Sequence, residues 1–176
     1  ANENLSWRDV QEILLRTARM NDHSDSSWNT NGAGHDVSHK YGFGAVDAGA
    51  AVSMALNWTT LEDEMNATFG PYYENFDIPD DNSSWSEFPV DIPVELSLES
   101  VDVIVDINHT YRGDLDIVLV SPDGTESWLA ENNNDANDHF SNWLFNTVHH
   151  WGESSLGEWK LKVRDSDGGE NGTLNS

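Results

Sequence analysis

A two-part chain is predicted: a short helical segment, then an all-β sandwich or jelly roll. Three observations predict it. Apolar residues recur at helical spacing in two stretches before residue 58. From Val90 onward, alternation of period two dominates. Between these regions, residues 59–89 are polar and acidic and carry Pro71, Pro79 and Pro89, as expected of a linker that runs into the first strand of a new domain.

The first helix is predicted over residues 6–19. Ser6 can cap it, and Asp9, three positions on, stands where a capping box usually has Glu. Val10, Ile13, Leu14, Thr17 and Ala18 then fall on one face. A polar loop follows from Asn21 to His39, broken by Gly32 and Gly34. A second helix is predicted from about Asp47 to Asn57. Its Ala48, Gly49, Ala50, Ala51 and Ala55 are small, which lets a helix lie close to a neighbouring backbone. Gly49 costs roughly 1 kcal/mol against Ala in a helix interior, so a packing role is expected there. Two helices and a loop cannot enclose a core, so they read as the edge of something larger.

The β part has three clear strands. Val101, Val103, Val105 and Ile107 share one face, as do Leu115, Ile117 and Leu119 opposite Asp114 and Asp116. Trp159, Leu161 and Val163 alternate with Lys160, Lys162 and Arg164. Each pattern predicts one face on a core and one in water. Ser121-Pro122-Asp123-Gly124 has the residue order of a tight turn.

Composition narrows the function. The 176 residues include 32 acids against 8 bases, a formal net charge of −24. Such a surface repels nucleic acid and anionic membranes, which clustered Lys and Arg would be needed to bind. Two readings of the acidity stand side by side: adaptation to a saline environment, and divalent-cation binding. The absence of cysteine excludes disulfides, thiolate zinc sites and Cys nucleophiles. No apolar run approaches the ~20 residues of a membrane helix.

Oxygen-rich candidates for calcium cluster in three places: Asp114 with Asp116, the run from Asn132 to Asp138, and Asp165, Asp167 and Glu170 among glycines. None has the spacing of an EF-hand, and turn formation explains the second cluster equally well. His149 and His150 are adjacent and would point to opposite faces of a strand, so a shared metal is not expected. Arg112-Gly113-Asp114 is an adhesion tripeptide in other contexts. Here it leads directly into an alternating strand, which favours a structural role.

Taken together, "LSWRDVQEILLRTA", "WNTNGAGHDVSHKYGFGAVDAGAAV" and "ALNW" resemble the C-terminal end of a subtilisin-type catalytic domain of the kexin/furin branch. "RGDLDIVLVSPDGT", "FSNWLFNTVHHWGESSLGEWKLKVRD" and "GGENGTLNS" resemble the P (Homo B) domain that follows it in that family. The resemblance implies a mixed fold: the helical edge of an α/β subtilisin-like domain at 1–58, a linker and domain start at 59–89, and a jelly-roll P domain at 90–176 that lacks its last strand. It implies part of an extracellular or secreted serine endopeptidase acting on proteins or peptides. The catalytic Asp, His and Ser motifs of the family are not present in this sequence, so no catalytic residue is assigned. In the family the P domain packs on its own catalytic domain, stabilises it and tunes its calcium and pH dependence. Trp143, Phe145 and Trp151 are candidates for that packing surface; the competing reading puts them in the sandwich core. A stand-alone carbohydrate- or cell-surface-binding sandwich is the alternative function, and residues 1–58 argue against it.

Overall fold

A computed structural model describes residues 2–73, 75–80, 84–169 and 171–176. Glu170, one of the expected calcium ligands, lies outside the described residues. The chain divides into two compact units, Ala1–Asn66 and Ala67–Ser176.

The first unit is built from helix α1 (Trp7–Thr17), a small antiparallel pair β1 (Trp28–Thr30) and β2 (Asp36–Ser38), and helix α2 (Ala48–Ala55). The capping box at α1 is complete: Ser6 Oγ accepts from the Asp9 backbone N–H at 3.1 Å, and Asp9 Oδ2 accepts from the Ser6 N–H at 2.7 Å. The Asp9 carboxylate does more than cap. Its other oxygen, Oδ1, accepts from the Trp58 indole N–H and the Leu61 N–H, both at 2.8 Å, which ties the chain after α2 to the start of α1. Asp47 caps α2 through the Ala50 N–H. The buried face of α1 is Asp9, Glu12, Ile13 and Thr17, whereas Val10, expected among the buried positions, is exposed. The polar anchor at Asp9 rotates that face by one position. Of the small residues in α2 only Ala51 is buried. Trp7, Val46, Val52 and Leu56 are each more than half exposed.

The Asp9 carboxyl is held well below the usual carboxylate range, chiefly by the Ser6 hydroxyl, then by the Leu61 N–H. Charge there therefore stabilises the folded unit fully above the unfolded carboxylate value, about pH 4, and is lost as pH falls through the lower folded value. Acid titration of unfolding free energy should show a decline below about pH 4 that is shallower in Asp9→Asn. An unchanged slope in that variant would show that other carboxylates carry the decline.

The second unit is a sandwich of two four-stranded antiparallel sheets. One has the order β3-β10-β5-β8, with β3 at Phe76–Ile78, β5 at Val101–Asn108, β8 at Phe140–Thr147 and β10 at Gly172–Leu174. The other has the order β4-β9-β6-β7, with β4 at Ser86–Ile92, β6 at Leu115–Val120, β7 at Glu126–Ala130 and β9 at Gly157–Asp165. Strands thus begin at Phe76. The proline-rich sequence hid β4, which carries Pro89; as an edge strand it tolerates a residue without an N–H.

Between the sheets Ile78, Val105, Ile107, Leu115, Ile117 and Val163 are fully buried. Burying each such side chain contributes about 2 kcal/mol. Along one margin the hydroxyls of Ser127 in β7 and Thr147 in β8 meet at 2.6 Å, buried. Along the other, Phe76 packs edge-on against Phe88.

Leu115, Ile117 and Leu119 enter the core, but the opposite face of β6 is not wet: Asp116 and Val118 are buried too. The cover comes from the neighbouring strand and from aromatic side chains. The outward Lys160, Lys162 and Arg164 of β9 pair with Glu87, Glu126 and Asp116. Lys162 and Arg164 also lie over the Trp85 ring at 4.9 and 4.5 Å, and Trp85 meets Trp128 edge-on. Their aliphatic stems and rings roof this face.

Candidate functional site

The residues singled out around the Arg-Gly-Asp tripeptide gather at one end of the sandwich. Arg112–Asp114 is a single 3-10 turn that precedes β6, not the first residues of the strand. The loop from Glu131 to Asp138 folds over it. The Gly113 N–H donates to the Asp135 carbonyl at 3.0 Å, and the Asn133 N–H donates to the Gly113 carbonyl at 2.7 Å. A Cβ on Gly113 would stand 2.6 Å from the Asn133 carbonyl oxygen and 2.7 Å from the backbone N and O of Asp135. Glycine is needed here because two backbones touch, not because the dihedral is unusual.

The tripeptide is not available to a receptor. Arg112 donates from Nε to Asp135 Oδ2 at 2.8 Å, with Nη2 at the same distance. Its guanidinium lies 4.7 Å from the Trp143 ring centre and 5.6 Å from that of Phe140. Arg112 beside Asp135 holds that carboxyl below its ordinary value, and the Asn137 side chain adds to the effect. Asp114 is buried.

Behind the turn sits a buried imidazole. His109 Nε2 lies 3.1 Å from Asp165 Oδ2, both side chains wholly inaccessible. Its Nδ1 is 2.8 Å from the Tyr111 carbonyl oxygen, and its backbone N–H donates to His139 Nδ1 at 3.0 Å. The ring therefore links β9 to the residue before the turn, and the backbone N–H of His109 adds the residue before β8. His139 has a left-handed backbone, φ 53°.

These loops enclose a polar cleft of about 220 Å³, lined by Tyr111, Asp114, Asn132, Asn133, Asn134 and Asp167 with Gly168. The four expected carboxylates that lie among the described residues do not form one group. Asp114 and Asp167 face the cleft. Asp116 is taken by Arg164, at 2.9 Å to Nε and 2.8 Å to Nη2, and by the Asn132 N–H. Asp165 is taken by His109 and the Asp167 N–H. Among the described residues no three His, Asp or Glu side chains converge as a metal site.

The three aromatic candidates separate. Trp151 is buried, Phe145 packs against the core, and Trp143 alone is substantially exposed, at 39%. Phe145 and Trp143 both lie on the edge strand β8, opposite Val103 and Val105, and Trp151 lies in the turn that follows it. His149 and His150 follow β8 in a turn rather than in a strand. Buried His150 meets Glu153 at 3.1 Å, and Glu153 accepts from the Thr125 hydroxyl, which ties the Ser121–Thr125 turn to the "HHWGE" segment. Neither buried His–carboxylate pair was predicted. His109 and Asp165 are 56 positions apart, and they meet only because the sheet that ends at His109 packs on the sheet that holds β9.

The family described as Proprotein convertase P-domain matches residues 98–176. Proprotein convertase subtilisin/kexin type 6 of Rattus norvegicus is 41% identical over 173 residues, 94% of this chain and 18% of that protein. Furin of Bos taurus is 38% identical over 184 residues, 99% of this chain and 23% of that protein. This chain therefore spans about a fifth of the length of these relatives. The crystal structure of a serine protease of Aeromonas sobria superposes with a TM-score of 0.82 at 22% identity, over 98% of this chain and 39% of that one.

Proposed function

We propose, for a chain whose residues 98–176 belong to the proprotein convertase P-domain family, that it is the non-catalytic part of a secreted, kexin-like serine endopeptidase. The observation that carries this is the extent of similarity: identity to furin runs through 99% of the chain, including the first unit that the P-domain match leaves out. In this reading residues 1–58 complete the α/β catalytic domain, whose triad and substrate pockets lie elsewhere in the protein. The exposed Val46, Val52 and Leu56 then meet the rest of that domain. The sandwich stabilises it, and Trp143 is the aromatic candidate left for that contact.

A test uses one exposed position. Val52→Asp should change the stability of this chain alone by less than about 1 kcal/mol. In the whole protease it should sharply lower the secreted, active yield. Normal yield would reject the assignment of α2 to the catalytic domain.

Calcium is part of the proposal. Asp114, Asp167 and the Asn132–Asn134 amides and carbonyls are oxygen donors of the kind that calcium takes six to eight of. Chelation should lower the melting temperature of this chain, and Asp114→Asn should remove the difference. An unchanged melt would discard the cleft as a cation site.

A further inference from the structure

The sequence contains six Asn-X-Ser/Thr triplets, at Asn4, Asn57, Asn66, Asn82, Asn108 and Asn171. The structure treats them unequally. Asn82 lies outside the described residues. In the Asn4 triplet the Ser6 hydroxyl donates to Asp9. In the Asn57 triplet the central Trp58 is anchored to Asp9 and stacked under Arg16. In the Asn108 triplet the central His109 is buried against Asp165. The Asn171 side chain accepts from the Asp80 N–H, and Gly172 enters a strand.

Asn66-Ala67-Thr68 differs on every count. All three residues are exposed and lie outside any helix or strand, in the segment that joins the two units in sequence. The same segment exposes Met65, Phe69, Tyr72 and Tyr73. An exposed segment outside any helix or strand is where endopeptidases nick a protein first.

We propose that Asn66 is an N-glycosylation site, and that its glycan shields this joining segment from proteolysis. The donor is a lipid diphosphate-linked oligosaccharide. A bond forms between Asn66 Nδ2 and the anomeric carbon as the bond from that carbon to the diphosphate oxygen breaks. The lipid diphosphate leaves, and the amide gives up one proton to a base of the transferase. A bulky, hydrated chain on Nδ2 displaces no packed side chain at this position.

The site rests on the secreted reading for its compartment alone, and the test supplies that compartment. The chain is translated behind an export signal into glycosylating microsomes, and translocated molecules are selected by protease protection whether or not they fold. Peptide-N-glycosidase in heavy-oxygen water then marks each glycosylated Asn as labelled Asp for mass spectrometry. Label at Asn66, and one glycan fewer in Asn66→Gln and in Thr68→Ala, is the expected result. Translocated chain with Asn66 unlabelled overturns the site without touching the protease assignment. For the shielding role, secreted Asn66→Gln should be nicked within residues 59–75 at least about threefold faster than the glycosylated chain. Equal rates would refute that role.

Discussion

Asp165→Ala is expected to destabilise the second unit by about 3–5 kcal/mol. The loss comes from what stays behind. His109 is buried with Nε2 aimed at the missing carboxylate and loses that partner. The Asp167 N–H loses its acceptor at the same time, which loosens one wall of the cleft. Asp165→Asn keeps an acceptor in place and should lose roughly half as much. Urea denaturation of both variants gives the comparison. If Asp165→Ala shifts the midpoint no more than Asp123→Ala in the exposed turn, the pair is not the structural tie described here.

Gly113→Ala should cost about 1–3 kcal/mol. The added methyl would lie well inside contact distance of three backbone atoms of Asn133 and Asp135, none of which can rotate away. Relief requires moving the Glu131–Asp138 loop, so Arg112 should lose its alignment with Asp135 and Trp143. Tryptophan fluorescence should report the change at Trp143 alongside the fall in urea midpoint. An unchanged midpoint would mean that the loop yields freely, and the cleft it lines would then have no fixed shape.

The two positions show what a linear reading can and cannot reach. Ser6 and Asp9 were legible as a cap because their partners are three residues away. Asp9 bonding to Trp58 and Leu61 was not legible, since those contacts span about fifty positions. The inward faces of β5, β6 and β9 followed from alternation. The burial of Asp116 and Val118 did not, because their cover comes from Arg164 and Trp128 on other strands and from Trp85 just before β4. The same limit applies to the site. Oxygen-rich segments could be picked out by composition. Which carboxylates remain for the cleft depends on where Arg164 and His109 reach, which is decided by the register of β9 on β6 for the first and by the packing of one sheet on the other for the second. The tripeptide reads as leading directly into a strand, while the structure sets it in a 3-10 turn whose Gly113 touches the backbone of Asn133 and Asp135.

The outward row on β9 has a practical consequence. Lysine is rare in this chain: Lys40, Lys160 and Lys162 are all there are. Both lysines of the second unit project from the same strand face, with Lys160 the more open of the two. Amine-reactive coupling through these two lysines will therefore hold the sandwich by one sheet, whereas coupling through the more exposed Lys40 will hold the chain by its first unit. The opposite sheet, where Ile104 and Leu144 are exposed side by side, will be left facing solution. With Lys40 replaced by Arg, a sensor surface made with ordinary amine chemistry on side chains would thus hold the sandwich by β9, with the Ile104–Leu144 face free to meet whatever is flowed across it.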